Sequence, residues 1–135
     1  MKMRKILTLA AVALIMGGTL VAKYRPAVAE DTAATAVNEK LPTLIDLSAE
    51  WCSACQAQKK ILEEYLPKYG HNFNMQFVDV NKDEELAQKY QIRVIPTLIF
   101  LSPEGEVIKR NEGVMEGYEI SFVFKNAGYE MTEKK

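Results

Sequence analysis

An apolar segment, Leu41-Pro42-Thr43-Leu44-Ile45-Asp46-Leu47-Ser48-Ala49, runs almost directly into Trp51-Cys52-Ser53-Ala54-Cys55. The first stretch reads as a buried strand, and an amphipathic helical pattern follows the second cysteine. Both cysteines of the chain lie in this junction. Two thiols separated by two residues at a helix start can form and break a disulfide with little backbone movement. A CxxC between strand and helix is also the setting that makes a thiol reactive. A purely structural staple is a poor alternative, because so short a loop gains little from cross-linking.

The remaining pattern extends this unit. Ala54, Ala57, Ile61, Leu62, Tyr65 and Leu66 recur at helical spacing, and Pro67 and Gly70 are expected to close that helix. Met75–Val80 reads as a second strand. Asn81 with Glu84 resembles a capping box for a helix running to about Tyr90. Thr97–Leu101 is a fully apolar strand, and Ser102-Pro103-Glu104-Gly105 supplies turn residues before a more polar strand at Glu106–Arg110. Ile120, Val123, Phe124 and Ala127 form the stripe of a last helix, which Gly128 would cap. The order β-α-β-α-β-β-α implies an α/β fold. Its central mixed sheet would hold parallel strands plus an antiparallel hairpin, with helices on both faces.

The chain has 135 residues, enough for one domain with its own core. Lys2, Arg4, Lys5, Lys23 and Arg25 all precede the first acid, so residues 30–135 hold 12 basic and 18 acidic side chains. An acidic body without a basic patch argues against nucleic acid as a partner. The amino terminus has the form of a leader: a basic start, the uncharged run Ile6–Ala22, and the small-x-small site Ala27-Val28-Ala29. Residues 1–29 are expected to be either a cleaved export signal or an N-terminal membrane anchor, since an uncharged, mostly apolar run of 17 residues sits at the lower limit for a spanning helix. Either form places the domain outside the cytoplasm, in the periplasm or at the outer face of the membrane. Residues 30–40 read as a small, polar linker, and 41–135 as the domain.

Three separated signals then coincide: Ala49-Glu50-Trp51-Cys52-x-x-Cys55, Asp46 six residues before the first cysteine, and Tyr90-Gln91-Ile92-Arg93-Val94-Ile95-Pro96-Thr97 downstream. With them the stretch from about Leu41 to Gly128 resembles the thioredoxin family. The export signal makes it similar to extracytoplasmic bacterial members. The resemblance implies the thioredoxin fold and a catalytic set of Cys52, Cys55 and Asp46. Cys52 would be the attacking thiolate, favoured by the helix N-terminus. Cys55 would resolve the mixed disulfide, and Asp46 would help deprotonate it. Trp51, Ile95 and Pro96 would contact substrate, with a cis bond before Pro96 and main-chain pairing at Ile95. No cofactor beyond the Cys52–Cys55 pair and no resident metal is implied.

The chain departs from the family pattern in three places. Ser53-Ala54 stands between the cysteines, Lys60 replaces a frequent helix proline, and Phe77 replaces a lysine that often neighbours the buried acid. The expected function is reduction of protein disulfides outside the cytoplasm by a monomer drawing electrons from a membrane thiol-relay protein. Apocytochrome c and other exported proteins would be its substrates. A disulfide oxidase or isomerase is the alternative within the class, and a soft-metal (copper) binding module the alternative outside it.

Overall fold

The structure is a computed structural model that describes residues 37–135. The expected leader at 1–29 and most of the expected linker lie outside the described residues. The elements are β1 (Thr43–Ser48), α1 (Ser53–Tyr69), a 3-10 turn (Gly70–Asn72), β2 (Asn74–Asp79), α2 (Glu84–Lys89), β3 (Thr97–Leu101), β4 (Val107–Glu112) and α3 (Gly117–Asn126). They form the thioredoxin fold, a mixed four-stranded sheet in the order β2-β1-β3-β4 flanked by helices. No helix among the described residues is long and apolar enough to cross a membrane.

Strand direction follows from the connections. Helix α1 spans 17 residues and returns the chain to pair β2 parallel to β1, Thr43 opposite Asn74. Helix α2 has six residues, roughly 9 Å at 1.5 Å per residue, too short to carry the chain back along a strand of about 20 Å. The chain therefore re-enters the sheet at the end where β2 left it. Strand β3 runs antiparallel to β1, Leu47 opposite Thr97 and Thr43 opposite Leu101. Strand-helix-strand alternation predicts parallel pairing here as well; the brevity of α2 reverses it. β3 and β4 form the expected antiparallel hairpin, with a bulge at Phe100/Leu101. The ends of β1 and β2 and the start of β3 thus meet at one edge of the sheet.

Strand alternation divides the core into two layers. Leu44, Leu98 and Phe100 face α1 and α3 and pack with Leu62, Tyr65, Phe73, Ile120, Val123 and Phe124. Ile45, Leu47, Val78, Ile99 and Leu101 face the other way, against Leu86, Tyr90 and Ile92. Phe124 is the hub of the first layer. Its ring lies 5.1 Å from Phe73, 5.1 Å from Phe100 and 6.4 Å from Tyr129.

Several local readings shift. The buried stripe of α1 is Cys55, Gln58, Leu62 and Tyr65, while Ala54 and Ala57 are exposed. Pro67 lies within the last turn of α1 rather than ending it, and Gly70 donates to the Leu66 carbonyl as the cap. Asp83 caps α2 by accepting from the Leu86 N–H at 3.0 Å. Asn81 instead belongs to the turn after β2, where Asp79 Oδ1 accepts its N–H. Helix α3 starts in a Glu116/Glu119 capping box, and Ala127 is exposed beyond its end. Gly117 has no room for a side chain, since a Cβ would meet Tyr65 Cδ2 at 2.7 Å. Part of the expected linker is also fastened: the Asn74 side chain accepts from Asn38 N–H and donates to its carbonyl, each at 2.9 Å. The C-terminal tail folds back on the far end of α1. Met131 is buried, and Asn72 binds the Thr132 backbone through both ends of its carboxamide.

Phe124→Leu should lower stability by about 1–2 kcal/mol, because shortening the hub leaves part of the ring's volume unfilled. In urea the unfolding midpoint should fall with an unchanged slope. A midpoint equal to that of the parent would contradict this account of the first core layer.

Candidate active site

The site sits where the three strand ends meet. β1 stops at Ser48, the chain turns through Ala49–Trp51 with Cys52 N–H bonded to the Ala49 carbonyl, and α1 begins. Cys52 is the N-cap residue, in extended conformation. Its Sγ accepts the Cys55 N–H at 3.2 Å, so one unpaired amide of the helix start points at sulfur. Cys52 and Cys55 are joined in a disulfide, with Cα atoms 5.2 Å apart. Both are nearly buried, at 8% and 3% exposure. Once reduced, a thiolate on Cys52 would keep the Cys55 amide and gain from the positive end of the helix.

The loop before β3 forms the facing wall. The Ile95–Pro96 peptide bond is cis. The Ile95 carbonyl oxygen lies 3.8 Å from Cys52 Sγ, and Ile95 packs against the cluster of Ala49, Cys52 and Cys55. Thr97, fully buried, donates its hydroxyl to the Val94 carbonyl at 2.6 Å and so closes this loop on itself. Trp51 stands 74% exposed next to Cys52, with Val94 also exposed on the loop opposite. Of the six residues singled out by sequence, Cys52, Cys55, Ile95 and Pro96 converge directly. Trp51 borders them on the surface, and Asp46 approaches from beneath. His71 lies in the 3-10 turn, bonded to Thr132 and apart from the cysteines.

Asp46 is 1% exposed in the middle of β1, on the face that carries Leu44. It opens onto a crevice of about 500 Å³ that Cys55, Gln56, Lys59 and Phe77 also line. Its Oδ1 has no hydrogen-bond partner. Phe77 is its neighbour across the β1–β2 ladder and is itself 56% exposed. Lys82, at the rim, is engaged with Asp79 at 3.4 Å and Glu50 at 3.5 Å. Burial pushes the Asp46 carboxyl up from its ordinary 3.8 to about 6. A base near neutrality thus shares one crevice with the second cysteine.

Sequence reading missed two structural supports that lie behind the site. Gln58 is fully buried, one turn beyond Cys55, and its side chain holds the backbone of Met115. The loop Gly113–Met115, which Gln58 holds, reaches the Pro96 carbonyl through the Gly113 N–H at 2.8 Å. The available signal was a polar residue in register with Cys55 and Leu62 on one helix face.

The Asp46 shift has a defined sign. The folded chain keeps this proton to higher pH than the unfolded chain, so between about pH 4 and 6 it binds more protons and stability falls as pH rises. The cost is complete above about 6, absent below about 4, and on the order of 3 kcal/mol. In the oxidised protein, Asp46→Asn should gain on the parent by roughly that amount between pH 4 and pH 8. Guanidinium unfolding at both values measures it. A variant-to-parent difference independent of pH would show that Asp46 is not held in this state.

With this geometry in view, comparison with known proteins is direct. The profile of the Thioredoxin family matches residues 26–125. Thioredoxin C-2 of Corynebacterium nephridii is 36% identical over 84 residues, covering 62% of this chain and 77% of that protein. A thioredoxin-like protein of Synechocystis is 33% identical over 79 residues, covering 58% and 74%. A solved malaria-parasite thioredoxin-2, described as a component of the parasite's protein secretion machinery, shares the fold. It has a TM-score of 0.60 and 24% identity, with 64% of this chain and 82% of that chain covered. A CxxC disulfide at the start of α1 in such a domain supports thiol–disulfide oxidoreductase chemistry. By profile, relatives and fold together, the chain belongs to the thioredoxin family.

Proposed function

We propose that this protein reduces disulfides in exported proteins outside the cytoplasm, with Cys52 as nucleophile, Cys55 as resolving thiol and Asp46 as proton acceptor. The observation that carries the proposal is the placement of the two sulfurs. Cys52 Sγ receives a helix-start amide and borders the Ile95 carbonyl, while Cys55 lies deeper, beside the crevice of Asp46. In the reduced protein the Cys52 thiolate attacks one sulfur of a target disulfide and expels the other as thiolate. Asp46 takes the proton of Cys55. The Cys55 thiolate then attacks Cys52 Sγ, breaks the mixed disulfide and releases the second target sulfur as thiolate. Two electrons pass to the target, and the Cys52–Cys55 disulfide remains. A membrane dithiol relay restores the dithiol.

Ile95 and Trp51 border Cys52 where an extended polypeptide, such as a segment of apocytochrome c, would lie, with Pro96 shaping the wall. The leader-like residues 1–29 support the location. The reducing direction is supported by the connection between β2 and β3, whose one helix is the six-residue α2, with no inserted helical domain of the kind common in oxidases.

Cys52→Ser should abolish exchange, and Cys55→Ser should accumulate mixed disulfides through Cys52, read by mass spectrometry of the trapped adducts. Preferential alkylation of Cys55 in the reduced native protein would reverse the assignment. The reduction potential of the pair fixes direction. A value near −270 mV matches a reductase, whereas one near −120 mV would make the protein an oxidase.

A further inference from the structure

Gln58 is an expensive choice for its position. It is fully buried on the face of α1 that carries Cys55 and Leu62, where leucine would fill a similar volume without a polar group to satisfy. Both ends of its carboxamide are engaged by one residue. Oε1 accepts the Met115 N–H at 2.7 Å, and Nε2 donates to the Met115 carbonyl at 3.2 Å. Met115 lies between the end of β4 and the start of α3, where no strand ladder supplies partners. Two residues earlier, Gly113, at φ +94°, donates to the Pro96 carbonyl at 2.8 Å. Val114, between the two anchored residues, is 43% exposed.

These contacts close a circuit. It runs from α1 through Gln58 to Met115, along the chain to Gly113, across to Pro96, and through the Ile95 carbonyl back to Cys52 at the head of the same helix. We infer that Gln58 is a positioning residue for polypeptide substrates: by clasping Met115 it holds Val114 and the Ile95–Pro96 wall in register with Cys52. This rests on the reductase reading of the site. A small disulfide needs only the Cys52 thiolate. An extended chain must also lie along Val114 and Ile95, so it alone feels a displaced wall.

The test compares insulin, a protein disulfide, with a small aromatic disulfide such as dithiobis(nitrobenzoate). Gln58→Leu should raise KM for insulin about tenfold, with kcat and the small-disulfide rate within about twofold of the parent. Leu101→Ala, a change in the core layer that does not contain Met115, should leave the insulin-to-small-disulfide ratio unchanged, which separates positioning from loss of stability. An unchanged ratio in Gln58→Leu, or an equal rise in Leu101→Ala, overturns the inference. If Gln58→Leu does not fold, Gln58→Glu takes its place. A protonated glutamic acid can make the same two bonds and its carboxylate cannot, so KM for insulin relative to the parent should rise between about pH 6 and pH 8. A ratio constant across that range counts against the clasp. A parent that reduces the small disulfide but not insulin would overturn the reading of the substrate. In that case amide exchange at Gly113 still decides the clasp: it should accelerate at least about tenfold in the variant, and unchanged protection refutes it.

Discussion

The antiparallel pairing of β1 with β3 is the constraint from which the site follows. Because Leu47 lies opposite Thr97, the residues that leave β1 and those that enter β3 share one edge of the sheet. The CxxC follows the first strand, and the Ile95–Pro96 loop precedes the second. Their contact is therefore a property of topology before it is a property of side chains. Had β3 been laid parallel to β1, as the alternation of strands and helices invites, Pro96 would sit at the opposite edge, roughly 20 Å away. The six-residue length of α2 thus contributes to the chemistry although it supplies none of its reactive atoms.

A second tension is internal to β1. A carboxyl group in a central strand of the sheet, with one oxygen unpaired, lowers stability at neutral pH. Phe77, facing it across the ladder, offers no compensating charge, and the nearby Lys82 is committed to Asp79 and Glu50. Such a cost in a small domain is understandable where a base is needed next to a buried sulfur. The same logic applies to Gln58, whose burial is offset only because both ends of its amide are used. The two polar groups buried beneath the reactive helix are therefore of opposite kinds. One is satisfied and holds backbone; the other is left unsatisfied and can exchange a proton.

Much of this was legible in the sequence, for identifiable reasons. Strand β3 carries an uninterrupted apolar run and β1 one broken by Asp46, and β3 was bounded correctly because Pro96 and Ser102 punctuate it on both sides. The reactive pair was legible because the CxxC coincides with Asp46 upstream and the Ile95-Pro96 segment downstream, each at its place in the strand order. What escaped reading depended on tertiary partners. Asn81 has the spacing of a capping residue, but its N–H is taken by Asp79, which leaves Asp83 to cap α2. Alanines at 54 and 57 fit a helical stripe by hydropathy, yet the buried face is set by where Cys55 must point. Gln58 and the fold-back of the C-terminal tail onto Asn72 have no local signature, since each is defined by residues about 60 positions away.

The fastening of Asn38 by Asn74 also gives the domain a polarity. Asn74 begins β2, at the edge of the sheet opposite the disulfide, and it is there that the preceding chain joins the folded body. Any pull transmitted through the amino terminus would act at that far edge, along the strands and away from Cys52. The sulfur-bearing end is thereby left clear of the segment through which the described chain enters the fold.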